Sequence, residues 1–241
     1  MKKIVILKLG STIPSLAEEQ GDFEEWILSP LADHGRQMEV VDPRTTTPLP
    51  DLDSLAGMII TGSHCMVTDQ HDWSERVAGW LPDVVAREIP LLGICYGHQL
   101  LAHAMGGNVA NNPNGREFGS HRVNLLPEAA DDHLLGSFAP AIGANLCHTQ
   151  SVIRLPENAV RLAWSEQEPH QAYRIGSCAW GVQFHPEFGD EAMRAYIREC
   201  AELLSGEGQD PAALERKVVP TPAGGLLLRR FVEIAMEKGN S

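Results

Sequence analysis

The residues best suited to chemistry stand at Gly93-Ile94-Cys95-Tyr96-Gly97-His98-Gln99, where an apolar run enters Gly-x-Cys-x-Gly and a segment of helical spacing follows. This has the logic of a nucleophile elbow with sulfur in place of oxygen: a tight strand-to-helix turn presents one reactive side chain. Small residues two positions before and after the cysteine let strand and helix approach closely. A thiol so placed stands over a helix N-terminus, whose positive dipole end favours the thiolate. The amide N–H of Tyr96 points into the same space as an oxyanion donor. Alone, the pattern fits a buried cysteine beside an ordinary glycine turn equally well.

A second signal decides between these readings. In Trp180-Gly181-Val182-Gln183-Phe184-His185-Pro186-Glu187, a strand-like run delivers a histidine, a proline breaks the run and a glutamate follows. A thiol nucleophile needs a base to take and return its proton, and an acceptor to orient that base. His185 and Glu187 supply both. The paired context makes a mere surface or core role for His185, one of ten histidines, the weaker reading.

These residues need elements to hold them. Ile4–Leu7, Glu39–Val41, Met58–Ile60 and Pro90–Ile94 are short apolar runs that read as strands. Between them, helical spacing extends from Asp22 to Leu31 and from Trp73 to Val85, and Gly97–Met105 reads as the helix after the elbow. This alternation predicts an α/β fold, a three-layer sandwich with a central, mostly parallel sheet. Past Gly106 the rhythm changes. Val109, Val123–Leu126, Val160–Trp164, Ala172–Ile175 and Ala179–Phe184 are strand-like, which predicts a more antiparallel extension of the same sheet. Asp190–Leu204 returns to helix, with Met193, Ile197, Cys200 and Leu204 on one face. Residues 1–204 are expected to carry the site. Residues 205–241 form a C-terminal extension on the same domain, its last helix running from about Leu226 to Glu237 and burying Leu227, Phe231 and Ile234.

Composition sets further bounds. The chain has 241 residues and a formal net charge of −13, and its basic residues never run longer than two, so nucleic acid is a poor partner. No apolar stretch approaches the roughly 20 residues of a membrane span. The N-terminal apolar run stops at Lys8, too soon for a signal core, and reads as a buried strand. Five widely spaced cysteines without a Cys-x-x-Cys pair argue against a disulfide framework or zinc site and fit a reducing cytoplasm. The histidines show no metal-ligand spacing, so neither metal nor cofactor is expected.

Together the two motifs resemble those of the class I (triad-type) glutamine amidotransferases. Gly115-Arg116-Glu117-Phe118-Gly119 and Cys147-His148-Thr149-Gln150-Ser151-Val152 further resemble segments of the glutaminase domain of GMP synthetase, here as a stand-alone domain. The resemblance covers roughly Ile4 to Glu187. It implies the flavodoxin-like fold of that family and a Cys95–His185–Glu187 triad that cleaves the side-chain amide of glutamine, or of a related γ-glutamyl compound, through a γ-glutamyl thioester.

It also implies an oxyanion hole between the Tyr96 amide and the loop after Ile60, and substrate contacts from Gln99 and the backbone around His148. That loop reads Thr61-Gly62-Ser63-His64, with Ser63 where the family commonly has a second glycine. Gln150 stands where the related segment has aspartate, and Cys147 where it has serine. Cys147 lacks an elbow and reads as a small core residue.

No phosphate-binding loop is present, so the chain is not expected to activate an acceptor by itself. The expected partner is therefore a small-molecule substrate. Two alternatives differ from a self-sufficient hydrolase: a glutaminase subunit that delivers ammonia to a separate synthetase, and a non-catalytic binding module of the same fold. The intact triad weighs against the last.

Overall fold

The protein was analysed as a computed structural model that describes residues 2–239. Its first four strands are β1 (Lys3–Leu7), β2 (Met38–Val41), β3 (Leu55–Ile60) and β4 (Leu91–Ile94). Then follow β5 (Asn108–Asn111), β6 (Glu117–Leu125), β7 (Ala141–His148), β8 (Gln150–Arg154), β9 (Ala159–Trp164), β10 (Ala172–Ile175) and β11 (Ala179–Val182). Nine of them form one sheet in the order β2-β1-β3-β4-β11-β10-β9-β6-β7, while β5 and β8 make a separate antiparallel pair. The pairings from β2 through β11 are parallel, and those from β11 to β7 are antiparallel. The parallel sheet and its antiparallel extension are thus both present, but the Val109 strand, expected in that extension, lies instead in the separate pair with β8, and Cys95 follows the parallel strand β4.

Strand alternation explains the three layers. Ile4, Ile6, Ile59, Leu92 and Val182 point into one core cluster, which Leu227, Leu228 and Phe231 of the last helix, α8 (Ala223–Gly239), complete. The earlier helices are α1 (Pro14–Gln20), α2 (Phe23–Leu28), α3 (Asp72–Ala86), α4 (Tyr96–Ala104), α5 (Asp190–Glu199), α6 (Ala201–Gly206) and α7 (Pro211–Lys217). Val5, Leu7, Met58 and Leu91 point the other way, against Val77 and Leu81 of α3 and Leu100 of α4. Burying a side chain such as Phe231 completely contributes about 1.5–3 kcal/mol. Among the described residues, no helix is long and apolar enough to cross a membrane.

The structure corrects several boundaries. The helix expected from Asp22 to Leu31 is α-helical only to Leu28 and then tightens into 3₁₀ turns over Ser29–Gln37, because Pro30 has no N–H to continue the α ladder. The helix expected over Asp190–Leu204 breaks at Cys200 into α5 and α6. The last helix starts at Ala223, three residues earlier than its apolar spacing suggests. Strands β7 and β8 and helix α7 were not anticipated. In β7 the buried residues Ile142, Ala144, Leu146 and His148 do alternate along the strand, a period-two signal that its Gly143 and Asn145 obscure.

The elbow depends on two close approaches. A Cβ on Gly93 would lie 2.5 Å from the Gly97 carbonyl oxygen, and one on Gly97 would lie 2.7 Å from the Ile60 carbonyl oxygen. The obstacles are backbone atoms of packed elements and cannot swing aside. Gly97→Ala is therefore expected to destabilise the fold by about 1–3 kcal/mol through overpacking. At roughly 2–4 °C per kcal/mol for a chain of this size, that is a fall of several degrees in Tm. A thermal melt monitored by circular dichroism checks this, and an unchanged Tm would contradict it.

Candidate active site

Cys95 occupies the turn between β4 and α4 at φ 50° and ψ −99°, a positive-φ conformation that a residue with a Cβ adopts only where its surroundings enforce it. The enforcing contacts are backbone hydrogen bonds: Cys95 N–H donates to the Val182 carbonyl of β11 at 2.9 Å, and Gln99 N–H donates to the Cys95 carbonyl at 3.1 Å. Tyr96 opens α4, so its N–H is among the first four with no acceptor inside the helix. Its ring turns into the core, where the hydroxyl pairs with Ser74 Oγ at 2.7 Å and burial pushes its pKa up to about 12.

β11 is hydrogen-bonded beside β4 in parallel, with Val182 opposite Ile94. The chain leaving β11 therefore reaches the same sheet edge as the chain leaving β4. There His185 N–H donates to the Asn145 carbonyl at 2.8 Å, which fixes the backbone, and the imidazole stacks on Phe188 with ring centres 4.1 Å apart. Nδ1–H donates to Glu187 Oε1 at 2.8 Å, leaving Nε2 as the nitrogen available for proton transfer. Both side chains are almost wholly buried. Burial disfavours the imidazolium, but the Glu187 carboxylate and the Cys95 side chain beside it outweigh that and lift the His185 pKa to about 10. The three residues singled out in the sequence are thus brought together.

Gly62 closes the other side: a Cβ there would lie 3.1 Å from His185 Cε1 and 3.8 Å from Cys95 Cβ. Its loop is pinned by Thr61, whose Oγ1 accepts from Leu9 N–H at 2.9 Å and donates to the Gly62 carbonyl at 3.0 Å. Ser63 follows on the wall of a cavity of about 400 Å³ that also reaches Cys95, Gln99 and His148. Gln99 lines it, yet its Nε2 donates to the Gln150 carbonyl and to Gln183 Oε1, so this amide ties α4 to β8 and leaves Oε1 toward other partners.

His148 has an acceptor at each ring nitrogen: Glu117 Oε2 lies 3.1 Å from Nε2 and the Gln150 carbonyl 2.9 Å from Nδ1. Glu117, buried at 1% exposure, also accepts from Ser165 Oγ and Gln171 Nε2. Burial works against its ionisation, but the bonds from His148 and Ser165 and the charge of His148 hold its carboxyl below the usual range. Sequence reading caught Glu117 only within a motif. Its partnership follows from the β6–β7 register, which sets Glu117 opposite His148.

Two more cavity residues, His64 and Tyr196, were given no role of their own in the sequence. His64 Nε2 meets Tyr196 Oη at 3.1 Å, and that hydroxyl meets Thr12 Oγ1 at 2.8 Å. The His64 pKa is lowered by burial and by the neighbouring charge of His185. His98, adjacent to the elbow, is fully buried against Tyr173, and burial pushes its pKa down to about 3. It is a neutral packing residue. Burial also pushes the Cys147 thiol well up, yet the residue is only partly buried and lines the cavity, which corrects its reading as a core residue.

The C-terminal helix reaches this site as well. A Cβ on Gly224 would lie 2.2 Å from the Pro186 carbonyl oxygen, so the first turn of α8 packs directly under the peptide that links His185 to Glu187.

Comparison with known proteins adds to this geometry. Residues 17–201 match the family model described as glutamine amidotransferase class-I. Gamma-glutamyl peptidase 4 of Arabidopsis thaliana is 31% identical over 180 residues, spanning 72% of this chain and 70% of that protein. A glutamine-hydrolyzing GMP synthase of Porphyromonas gingivalis is 36% identical over 70% of this chain, but the match spans only 31% of the synthase. In Sulfolobus acidocaldarius, one of the subunits of the glutamine-hydrolyzing GMP synthase is 33% identical over 75% of this chain and 94% of its own length. Among solved structures, a glutamine amidotransferase from Thermotoga maritima superposes with a TM-score of 0.78 over 98% of this chain and 99% of its own, at 22% identity, a likeness of fold. Because the family match extends over most of the chain, the protein belongs to the class I glutamine amidotransferase family.

Proposed function

We propose that the protein hydrolyses the side-chain amide of glutamine or of a related γ-glutamyl compound, with Cys95 as nucleophile, His185 as proton carrier and Glu187 as the group that orients it. The observation that carries this reading is the strained turn at Cys95 set beside the buried His185–Glu187 pair. Cys95 Sγ, its proton held by His185 Nε2, adds to the amide carbon, and the resulting oxyanion is met by the Tyr96 N–H with a second amide from the Gly62–Ser63 loop. His185 Nε2–H protonates the departing nitrogen, which leaves as ammonia or an amine. The remaining γ-glutamyl thioester is then attacked by a water that gives its proton to His185, and collapse releases the free carboxylate and the thiol.

A second reading, delivery of ammonia to a separate synthetase, is favoured by the near-complete overlap with the Sulfolobus GMP synthase component. Both readings require amide cleavage at Cys95. The test is release of ammonia and glutamate from a panel of glutamine, γ-glutamyl dipeptides and γ-glutamyl anilides. Turnover of at least one member is expected, and release from none of them, alone or with a synthetase present, would remove the proposal.

A further inference from the structure

Any γ-glutamyl substrate that carries a free α-carboxylate brings that charge into the cavity along with the amide, and a buried charge needs a partner. The cavity offers few cations. His148 already faces acceptors from both ring nitrogens, and His64 is engaged with Tyr196. Among the described lining residues, Arg116 is the one arginine or lysine. It also lines an adjoining cavity of about 480 Å³, and the two cavities share Arg116 and Thr149 as a common wall.

The Arg116 guanidinium is already presented to a carboxylate. Its Nε lies 2.9 Å from Glu207 Oε2 and its Nη2 lies 3.2 Å from Glu207 Oε1, the two-pronged geometry in which arginine binds carboxylates best. Neither bond uses Nη1. The Arg116 side chain is only 15% exposed, against 37% for Glu207. Gln209 Nε2 donates to the Arg116 carbonyl at 3.0 Å, so the residues after α6 hold both ends of this arginine. The fork thus stays fixed while the carboxylate in it is the more exposed, displaceable partner.

We propose that Arg116 anchors the α-carboxylate of the substrate, and that Glu207 is an internal carboxylate which competes with it for the same guanidinium. The assignment rests on the γ-glutamyl reading of the site. Arg116 is then a specificity residue. It selects γ-glutamyl compounds with a free α-carboxylate over those in which that group is blocked, and Glu207 sets how strongly.

The test pairs substrates that differ only at the α-position. In turnover, L-glutamine is compared with L-glutamine α-amide, and γ-glutamyl anilide with its α-amide. In calorimetric binding, L-glutamate is compared with L-isoglutamine, which keeps the γ-carboxylate and loses the α-carboxylate. Wild type is expected to favour the free α-carboxylate. Arg116→Gln should raise KM and Kd for those members by about 10–100-fold, the range for losing hydrogen bonds to a charged group, with kcat nearly unchanged and the α-amides unaffected. Arg116→Lys should recover part of the preference, and Glu207→Gln should lower KM for glutamine a few-fold.

An Arg116→Gln protein that weakens both members of each pair equally, or keeps the wild-type preference, overturns the assignment. A wild type that does not distinguish L-glutamate from L-isoglutamine overturns it as well. A protein that turns over nothing, yet shows an Arg116-dependent preference for L-glutamate, would defeat the hydrolytic reading and leave Arg116 as a carboxylate anchor.

Discussion

Cys95→Ala is expected to lower kcat for γ-glutamyl amide hydrolysis by at least about 10⁴-fold, the scale on which loss of a covalent nucleophile registers in hydrolases built around a triad. The site offers no substitute sulfur. Cys65, Cys147 and Cys200 line the cavity without an elbow, and burial pushes the Cys147 thiol up. Tm should change little, because the backbone bonds that impose φ 50° on residue 95 run through its N–H and carbonyl and survive the substitution. Two measurements check this: steady-state ammonia release, and mass spectrometry of quenched wild-type turnover, which should find the γ-glutamyl group on Cys95. Retention of more than a few per cent of the activity in Cys95→Ala would rule out a thioester at this residue.

Glu187→Gln keeps the shape of the side chain and removes its charge. The glutamine amide can present an N–H toward Nδ1 and so favour the wrong tautomer of His185, leaving Nε2 without the proton arrangement the reaction needs. We expect kcat to fall by about 10²–10⁴-fold, with KM much less affected. The same variant has a signature in stability. Since the His185 pKa in the fold, about 10, lies above its ordinary 6.5, the stabilisation from this pair is fully present below pH 6.5 and fades as pH rises through about 10. Chemical denaturation of both proteins across this range should therefore find their stability gap widest at or below pH 6.5 and closing towards pH 10. A gap that is flat with pH would mean that the carboxylate does not hold His185 in its charged form.

The chemistry of the site was more legible in the sequence than its walls. Cys95 sits in a local pattern of glycines whose meaning is steric, and His185 and Glu187 are separated by one proline, so neighbours along the chain suffice to suggest their roles. That Cys95 and His185 meet is a matter of strand order: β11 enters the sheet beside β4 after a long antiparallel excursion, and no local pattern encodes that adjacency. The Glu117–His148 pair is a cross-strand partnership of the same kind, visible only once β6 and β7 are in register. The fold class followed from strand–helix alternation, which is periodic and therefore readable. The 3₁₀ stretch after Leu28 and the break at Cys200 were missed because both continue an apolar spacing that a regular helix would also satisfy.

The contact between Gly224 and Pro186 links the site to the order in which the chain is made. The elbow, its strand and the helix behind it all leave the ribosome well before residues 223–239, yet the peptide joining His185 to Glu187 rests on the first turn of α8. During synthesis, Cys95 is thus present before the support beneath the His185–Glu187 link, and α8 must also arrive to cover the apolar face formed by Ile4, Ile6 and Ile59. Assembly of the proposed triad in this sense waits for residues 223–239. A nascent chain keeps an uncommitted cysteine until α8 docks.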